Sequence, residues 1–354
     1  MKKKIKILYY GSCWPTNIGN AFVNLGAINS IKLALGEDVD IYHFGGLSSF
    51  LFRKHNYPQN NLNISDYTYF DYVVIGGMTQ CVENFEAAEI ILNNFLKNGT
   101  KIIISGGGAG LYNDEEVQKV REWMKKIPIY GFISRDTYSY EKYSDLACYS
   151  LDGIDSAFFI SDNFIPLPLV ISEFNVLNFD FKEEPVLKNV IGEDKRVKTS
   201  RNTFEKIIKI GKRLVKKILG RDTSQEESYE RITLDMDGRI VFRTHHVPWP
   251  TDTPEIQFQK KNTLISDLPS DYLSLYAQAN TVYSERIHAC IATLSFGNKA
   301  MLFGKKNPRL RMFERVGAGE IINKPVKVDM KLLDNLKKQQ VEFLSNILTK
   351  PPTE

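Results

Sequence analysis

Cysteine is scarce in this chain, and its spacing is wide. Four cysteines occur in 354 residues, and no two of them form a C-x-x-C pair. This pattern gives no support to a disulfide framework or a thiolate metal site, so the cysteines are interpreted as reduced structural thiols. The chain also lacks an apolar run of roughly 18 residues, which a membrane-spanning helix needs. The apolar run near the first residue is short and has no small-residue cleavage site after it, so the sequence predicts a cytoplasmic protein.

Two glycine-rich signatures are missing as well. The loop after the first predicted strand carries neither G-x-G-x-x-G nor G-x-x-x-x-G-K-[ST], so neither a dinucleotide site nor a P-loop is supported there. What the chain does contain is ample apolar material, with 43% hydrophobic, 12% aromatic and 25% charged residues and a formal net charge of +4. This composition is typical of a globular protein, and the length corresponds to about two domains.

Short apolar runs alternate with helical patterns along the first half of the chain. Each run is β-prone and ends at glycine or another turn residue, and this alternation predicts an α/β fold with a parallel sheet. The predicted strands are residues 5–9, 40–44, 72–75, 101–105 and 131–134, and the predicted helices are residues 19–35, 86–97, 114–126 and 137–143.

The alternation of strand and helix patterns resumes in the second half of the chain after an interruption. Between Lys195 and Arg221, eleven basic residues stand against one acid, and apolar side chains recur at helical spacing. This segment is predicted to be an inserted basic amphipathic helix. Further strands are predicted at residues 238–244, 281–283 and 299–303, and helices at 273–278, 287–296 and 331–348. The expected organisation is an N-terminal domain over 1–162, a C-terminal domain over 163–330 with the insertion at 183–231, and a closing helix and tail over 331–354.

The loop over residues 11–20 is the first candidate binding segment. In open parallel sheets, ligands bind beyond the carboxyl ends of the strands, where helix N-termini favour anions. The loop is long and rich in small residues, and Gly19 between Asn17 and Asn20 allows close backbone approach. The alternative is a plain turn with a helix cap.

Other predicted strand ends supply further candidates. Gly76 and Gly77 follow one strand and Gly107 lies after another, where glycine either leaves room for a ligand or only permits a tight turn. Arg135 ends a third strand, and it either contacts a substrate or forms a salt bridge.

The sharpest local feature is the pair Arg286 and His288 at the start of a predicted helix. The free N–H groups and dipole of a helix start favour an anion, and a guanidinium can bind it in bidentate fashion. We therefore predict an anion pocket in which His288 acts in catalysis, and the alternative is a structural histidine. His245 and His246 form a second candidate cluster, and neither cluster has the ligand spacing of a metal site.

Order and spacing of these motifs resemble the polysaccharide pyruvyl transferase family, whose members are built like two-domain GT-B glycosyltransferases. Asn20 stands where the family usually has an aspartate, and Met78 replaces a third glycine. The matching stretches are N-x-G-[DN] at 17–20, D-x-V-[IV]-x-G-G at 71–77, the S-G-x-G-x-G-like run at 105–110, S-R-D-x-x-S at 134–139, D-x-A-F at 155–158 and R-[LI]-H-[AG] at 286–289.

The resemblance implies two Rossmann-like domains facing a central cleft. It implies transfer of a pyruvyl group from phosphoenolpyruvate, as a co-substrate without a further cofactor, to two hydroxyls of a sugar in a cell-surface polysaccharide or its lipid-linked precursor. Protonating the enol carbon requires an acid, and the two anionic groups require cations. His288 is expected to be the acid, and Arg286 is expected to bind the phosphate or the carboxylate. Four basic residues after the next predicted strand either share that binding or form only a solvated basic loop: Lys305, Lys306, Arg309 and Arg311. Arg135 and the loop at 17–20 are expected to face the acceptor.

Two other functions stay open at the level of sequence. The same fold also carries nucleotide-sugar glycosyltransferases, because fold alone does not decide function. A non-catalytic protein could instead use the basic helix to bind a membrane or a glycan, and the alternative for this helix is a solvated charged face. The lysine-rich face suits the anionic inner leaflet, whereas few aromatic residues interleave it, so no nucleic-acid partner is expected.

Overall fold

The computed structural model describes residues 4–11, 16–45, 67–77, 79–191, 233–247 and 260–349. The chain divides into two compact units, one formed by Met1–Lys182 with Phe242–Glu354 and the other by Glu183–Val241. The predicted basic helix between Lys195 and Arg221 lies outside the described residues, and the predicted domain limits stay predictions. Among the described residues, no helix combines the length and apolarity needed to cross a membrane.

The first sheet has seven strands in the order β2-β1-β3-β5-β6-β7, with β4 beside β5, and its pairs are parallel. All five residues of β3 are buried, as expected for a strand with both faces covered. The strands are β1 (Ile5–Gly11), β2 (Val39–Gly45), β3 (Tyr72–Gly76), β4 (Thr79–Gln80), β5 (Lys101–Ala109), β6 (Ile129–Ser134) and β7 (Ala147–Asp152). The helices between them are α1 (Ile18–Leu35), α2 (Val82–Lys97), α3 (Asp114–Met124) and α4 (Thr137–Tyr143).

The second sheet has five strands in the order β12-β11-β8-β13-β14. Its strands are β8 (Phe174–Asn178), β11 (Ile240–Thr244), β12 (Thr263–Leu264), β13 (Thr281–Ser284) and β14 (Lys299–Leu302). The helices that follow are α5 (Pro269–Tyr276), α6 (Ile287–Ser295), α7 (Arg311–Glu314) and α8 (Met330–Thr349). In the smaller unit, β9 (Val186–Lys188) pairs in parallel with β10 (Thr233–Asp235). The predicted α/β class with parallel sheets is confirmed.

The closing helix α8 belongs to the core of the first sheet, although it is last in the chain. Leu344 and Ile347 are fully or almost fully buried in one cluster with Ile7 of β1 and Ile31 of α1. The hydroxyl of Tyr130 donates a hydrogen bond to the Ile347 carbonyl at 3.0 Å, which satisfies one of the free carbonyls at the end of the helix. Residues from both ends of the chain therefore build one core.

Each sheet contains a point where the order of its strands reverses. In the first sheet, the chain moves from β1 to β2 on one side and returns to β3 on the other. In the second sheet, β8 is flanked by β11 on one side and β13 on the other. Loops at the carboxyl ends of strands beside such a reversal diverge and leave a crevice. The candidate site lies at these two crevices.

Candidate functional site

A cavity of about 310 Å³ lies among the loops that follow strands of both sheets. Its volume is at the lower end of the range for small-molecule sites. The residues that line it come from the loops after β1, β3, β6, β11, β13 and β14. They are Asn17, Asn20, Gly77, Arg135, His246, Glu285, Arg286, Ile287, His288 and Arg309.

The N-terminus of α1 forms one wall of this cavity. Asn17 is extended and caps the helix, because its Oδ1 accepts a hydrogen bond from the Gly19 N–H at 3.0 Å. The N–H of Ile18, the first residue of α1, donates a hydrogen bond to the carbonyl of His246 at 2.9 Å. A Cβ on Gly19 would lie 3.1 Å from both Cβ and Nδ1 of His288. Glycine therefore lets this histidine pack directly against α1.

The start of α6 forms the facing wall. Arg286 is the N-cap residue and has extended backbone, and His288 is the second residue of the helix. The Arg286 N–H donates to Oγ of Ser284 at 2.7 Å, and that hydroxyl also bonds Asn178 at 2.9 Å. The Glu285 carboxylate accepts hydrogen bonds from N–H groups of the loop after β8. The N–H of Asp180 lies 2.6 Å from Oε1 of Glu285. These bonds fix the backbone from which Arg286 and His288 project.

The charge of Arg286 is partly balanced within the protein. Its Nε lies 3.4 Å from Oδ2 of the fully buried Asp180, and its guanidinium stacks 5.2 Å from the centre of the Phe181 ring. The same aspartate lies 3.4 Å from Nδ1 of His245, which does not line the cavity. Asp180 therefore fixes the orientation of Arg286 and balances part of its positive charge.

His288 pairs with a carboxylate that comes from the first half of the chain. Its Nε2 lies 3.8 Å from Oδ2 of Asp155, whose other oxygen accepts a hydrogen bond from the Ala157 N–H at 3.0 Å. Burial lowers the pKa of His288, and the positive charges of Arg309 and Arg135 lower it further, against the opposing effect of Asp155. Burial raises the pKa of Asp155, but His288 and Arg135 outweigh it and bring that pKa to about 2. The resting pair is thus a carboxylate beside a neutral imidazole.

Arg135 and Arg309 concentrate positive charge at the cavity. Arg135 is only 2% exposed and lies over Gly108, where a Cβ would come within 2.0 Å of its Nε. Burial, followed by the charge of Arg135, lowers the pKa of Arg309 to about 10. Among the described residues, Nε and Nη2 of Arg135 and Nε of Arg309 are buried without a hydrogen-bond acceptor. Nε of Arg135 also lies 3.9 Å from Oδ2 of Asp136, which balances part of its charge. Buried cationic donors without acceptors suit an anionic ligand, because a buried polar group without a hydrogen-bond partner is destabilising.

His246 lines the cavity as a neutral side chain. Its Nε2 lies 2.7 Å from the Tyr276 hydroxyl, which lies 2.9 Å from Oγ1 of Thr244. The ring is 1% exposed and contacts Phe22 of α1 edge-on at 5.4 Å between centroids. Burial lowers the pKa of His246 to about 3, and Arg286 contributes in the same direction. His246 therefore carries no charge near neutral pH.

The structure brings most of the predicted site residues to one place. Asn17, Asn20, Gly77, Arg135, Arg286 and His288 line the cavity, and Gly19 lies behind His288. Three others do not line it. Gly76 packs against Tyr9, because a Cβ on Gly76 would lie 1.6 Å from the Tyr9 hydroxyl. The carbonyl of Gly107 accepts a hydrogen bond from the Arg135 N–H at 2.9 Å. Lys305 is exposed. Gly76 and Gly107 thus support neighbouring side chains.

Three functional groups at this site received no individual role from the sequence. Arg309 was one of four basic residues after a predicted strand, and only the tertiary contacts distinguish it from Lys305. Asp155 was part of a motif without a role, and His246 was one of two adjacent histidines. Adjacent histidines point in different directions, so the sequence did not show which one reaches the cavity. No group of three or more His, Cys, Asp or Glu within the described part of the chain is arranged to hold a metal ion.

Comparison with known proteins places the sequence in a family. A family model described as polysaccharide pyruvyl transferase matches residues 17–304. No curated protein matches the chain. Similar solved structures include UDP-N-acetylglucosamine 2-epimerase from Rickettsia bellii, with 11% identity, a TM-score of 0.47 and coverage of 97% of this chain and 94% of that one. The Neisseria meningitidis UDP-GlcNAc 2-epimerase bound to UDP-GlcNAc has 12% identity, a TM-score of 0.46 and coverage of 96% and 94%.

Proposed function

The chain belongs to the polysaccharide pyruvyl transferase family, and we propose that it transfers a pyruvyl group from phosphoenolpyruvate to two hydroxyls of a sugar. The acceptor is a cell-surface polysaccharide or its lipid-linked precursor, and no further cofactor takes part. One observation carries the proposal: Arg135, Arg286 and Arg309 surround the His288–Asp155 pair in one cavity. A small donor with two anionic groups beside a carbon that must be protonated fits this arrangement.

The arginines divide between the two anionic groups of the donor. Arg135 and Arg309 are the more strongly desolvated and carry donors without protein acceptors, so they hold the phosphate, which has the higher charge. Arg286 is already paired with Asp180 and holds the carboxylate. Arg135 was expected at the acceptor, but its place beside Arg309 supports a role at the donor.

His288 supplies the proton that the methylene carbon takes up. Its imidazole is neutral in the free protein because burial and two arginine charges outweigh Asp155. A bound polyanion neutralises those arginine charges, so the pKa of His288 rises when the donor binds. Asp155 then stabilises the imidazolium and orients the ring. The acid is charged only in the complex where it is needed.

The test is heat stability of the protein with phosphoenolpyruvate, nucleotide sugars and free nucleotides. Phosphoenolpyruvate is expected to raise the unfolding temperature of the wild type and much less that of Arg286→Ala, because bound ligand stabilises the folded state. His288→Ala should keep this shift and lose phosphate release. Stabilisation by nucleotide sugars alone, with release of a nucleoside diphosphate, would identify a glycosyltransferase instead.

Contact with an anionic membrane rests on the segment between Lys195 and Arg221 and stays a separate proposal. Its test is salt-sensitive binding to vesicles that contain anionic lipids. Binding should disappear when the lysines of this segment become glutamines. Equal binding after that change would refute the membrane contact and would not affect the proposed reaction.

A further inference from the structure

His246 forms a part of the cavity wall that the reaction so far does not use. It lines the cavity together with the three arginines, yet it differs from them because it is uncharged. Its Nδ1 is buried and has no hydrogen-bond partner among the described residues. A buried polar atom of this kind is destabilising unless a ligand or a water molecule hydrogen-bonds to it.

The surroundings of His246 place it on the α1 side of the cavity. Its carbonyl accepts a hydrogen bond from the N–H of Ile18 at 2.9 Å, and its ring contacts Phe22. Its own N–H donates to Oδ1 of Asp180 at 3.0 Å. Asn17 and Asn20 belong to the same end of α1. The backbone of His246 is therefore held by the start of α1 and by the carboxylate of Asp180.

Tyr276 fixes the ring itself. The 2.7 Å contact between the Tyr276 hydroxyl and Nε2 orients the imidazole and couples its tautomer to the hydroxyl network with Thr244. Burial raises the pKa of Tyr276 well above its ordinary value, so the hydroxyl keeps its proton. Because Nε2 contacts Tyr276, Nδ1 is the ring nitrogen that can hydrogen-bond a ligand.

We propose that Nδ1 of His246 hydrogen-bonds a hydroxyl of the acceptor sugar and so sets the position of the acceptor in the cavity. This inference rests on the proposed function. A neutral imidazole matches a neutral hydroxyl, whereas the buried Arg135 and the partly buried Arg309 match the anionic donor. The neutral and the charged groups of the cavity thus suit the acceptor and the donor respectively. Tyr276 is a positioning residue that acts through His246.

The bond-making step shows what this position achieves. The sugar oxygen attacks C2 of phosphoenolpyruvate while C3 takes a proton from His288, so the double bond is consumed and a phosphate-bearing ketal intermediate forms. The C2–O bond to phosphate then breaks, and the second hydroxyl closes the ring. Of the two hydroxyl protons released, one replaces the proton given to C3 and the other leaves on inorganic phosphate. His246 keeps the first hydroxyl within reach of C2.

The experiment compares wild type, His246→Leu, His246→Asn and Tyr276→Phe. Phosphate release is measured with phosphoenolpyruvate and with methyl glycosides of galactose, glucose and mannose as probes. His246→Leu should raise the KM for the glycoside about tenfold, which corresponds to roughly 1.4 kcal/mol and is typical of one lost hydrogen bond. The KM for phosphoenolpyruvate should stay within about twofold. His246→Asn should recover part of the loss, because its amide reaches the position of Nδ1.

The outcomes separate this inference from the proposed function. A rise in the KM for phosphoenolpyruvate with an unchanged glycoside KM would overturn the role of His246 and leave the reaction intact. If the wild type shows neither turnover nor stabilisation by phosphoenolpyruvate, the proposed function fails. Saturation-transfer NMR of the same glycosides then still tests His246: a signal with wild type that His246→Leu loses supports the inference, and equal signals, or none with wild type, overturn it.

Discussion

Replacing Arg309 with methionine tests whether the cavity stores unbalanced positive charge. Burial and the nearby charge of Arg135 lower the pKa of Arg309 from 12.5 to about 10. The charged side chain is therefore less favourable in the folded protein by roughly 3 kcal/mol. Because the folded pKa of this cation lies below its unfolded value, the destabilisation is present at all pH values below about 10 and disappears as the pH rises above it.

Two opposite effects should follow from Arg309→Met. Methionine keeps an unbranched side chain in the partly buried site and removes the charge, so stability without ligand should rise by about 1 to 3 kcal/mol. This corresponds to an increase in Tm of roughly 2 to 4 °C per kcal/mol. Affinity for phosphoenolpyruvate should fall by about 10-fold to 150-fold, because a charge-assisted hydrogen bond contributes roughly 1.5 to 3 kcal/mol.

Calorimetry checks both effects on the same samples. Thermal unfolding without ligand gives the change in stability, and isothermal titration with phosphoenolpyruvate gives the change in affinity. Arg311→Met is the matched control, because Arg311 is exposed two residues further on and does not line the cavity. An Arg309→Met protein that is less stable than wild type and binds phosphoenolpyruvate equally well would refute the charge argument.

Three other changes probe the histidines and their packing. His288→Gln should reduce turnover by about 10²-fold to 10⁴-fold, as expected for loss of a general acid, while phosphoenolpyruvate still raises the Tm. Gly19→Ala should lower kcat about tenfold because the new Cβ would lie 3.1 Å from the His288 ring, even though alanine favours the helix. His246→Gln should make the free energy of unfolding depend less on pH at acidic pH. The folded pKa of His246 is about 3, so the unfolded chain binds the extra proton and wild-type stability falls as the pH drops from 6.5 toward 3.

Each of these changes has a control or a contrary outcome. Gly304→Ala is the control for Gly19→Ala, because its new Cβ meets only Leu302 at 3.9 Å. Full activity of Gly19→Ala would show that the packing on α1 does not position His288. Equal acid sensitivity of wild type and His246→Gln in urea titrations at several pH values would contradict a neutral buried imidazole. Normal phosphate release by His288→Gln would require another acid.

The sequence predicted the regular parts of the fold because local pattern controls them. Buried strands such as β3 and β6 are continuous apolar runs, and glycine or a cap residue marks where each ends. β7 and β8 were not predicted. In β8, Asn175 and Asn178 are buried polar residues that interrupt the apolar run, and Asn178 is satisfied only by tertiary hydrogen bonds to Thr244 and Ser284. No local pattern could reveal those partners.

The sequence by itself determined the α/β class and the strand ends where Arg135, Arg286 and His288 lie. These depend on hydrophobic period, turn residues and helix starts, which are local properties of the chain. Only the tertiary structure decided that Asp155 pairs with His288 and that Arg309 rather than Lys305 reaches the cavity. Contacts between residues more than 100 positions apart depend on sheet order and strand reversal. The electrostatics of the site follow from those contacts, because desolvation and neighbouring charge are set by packing.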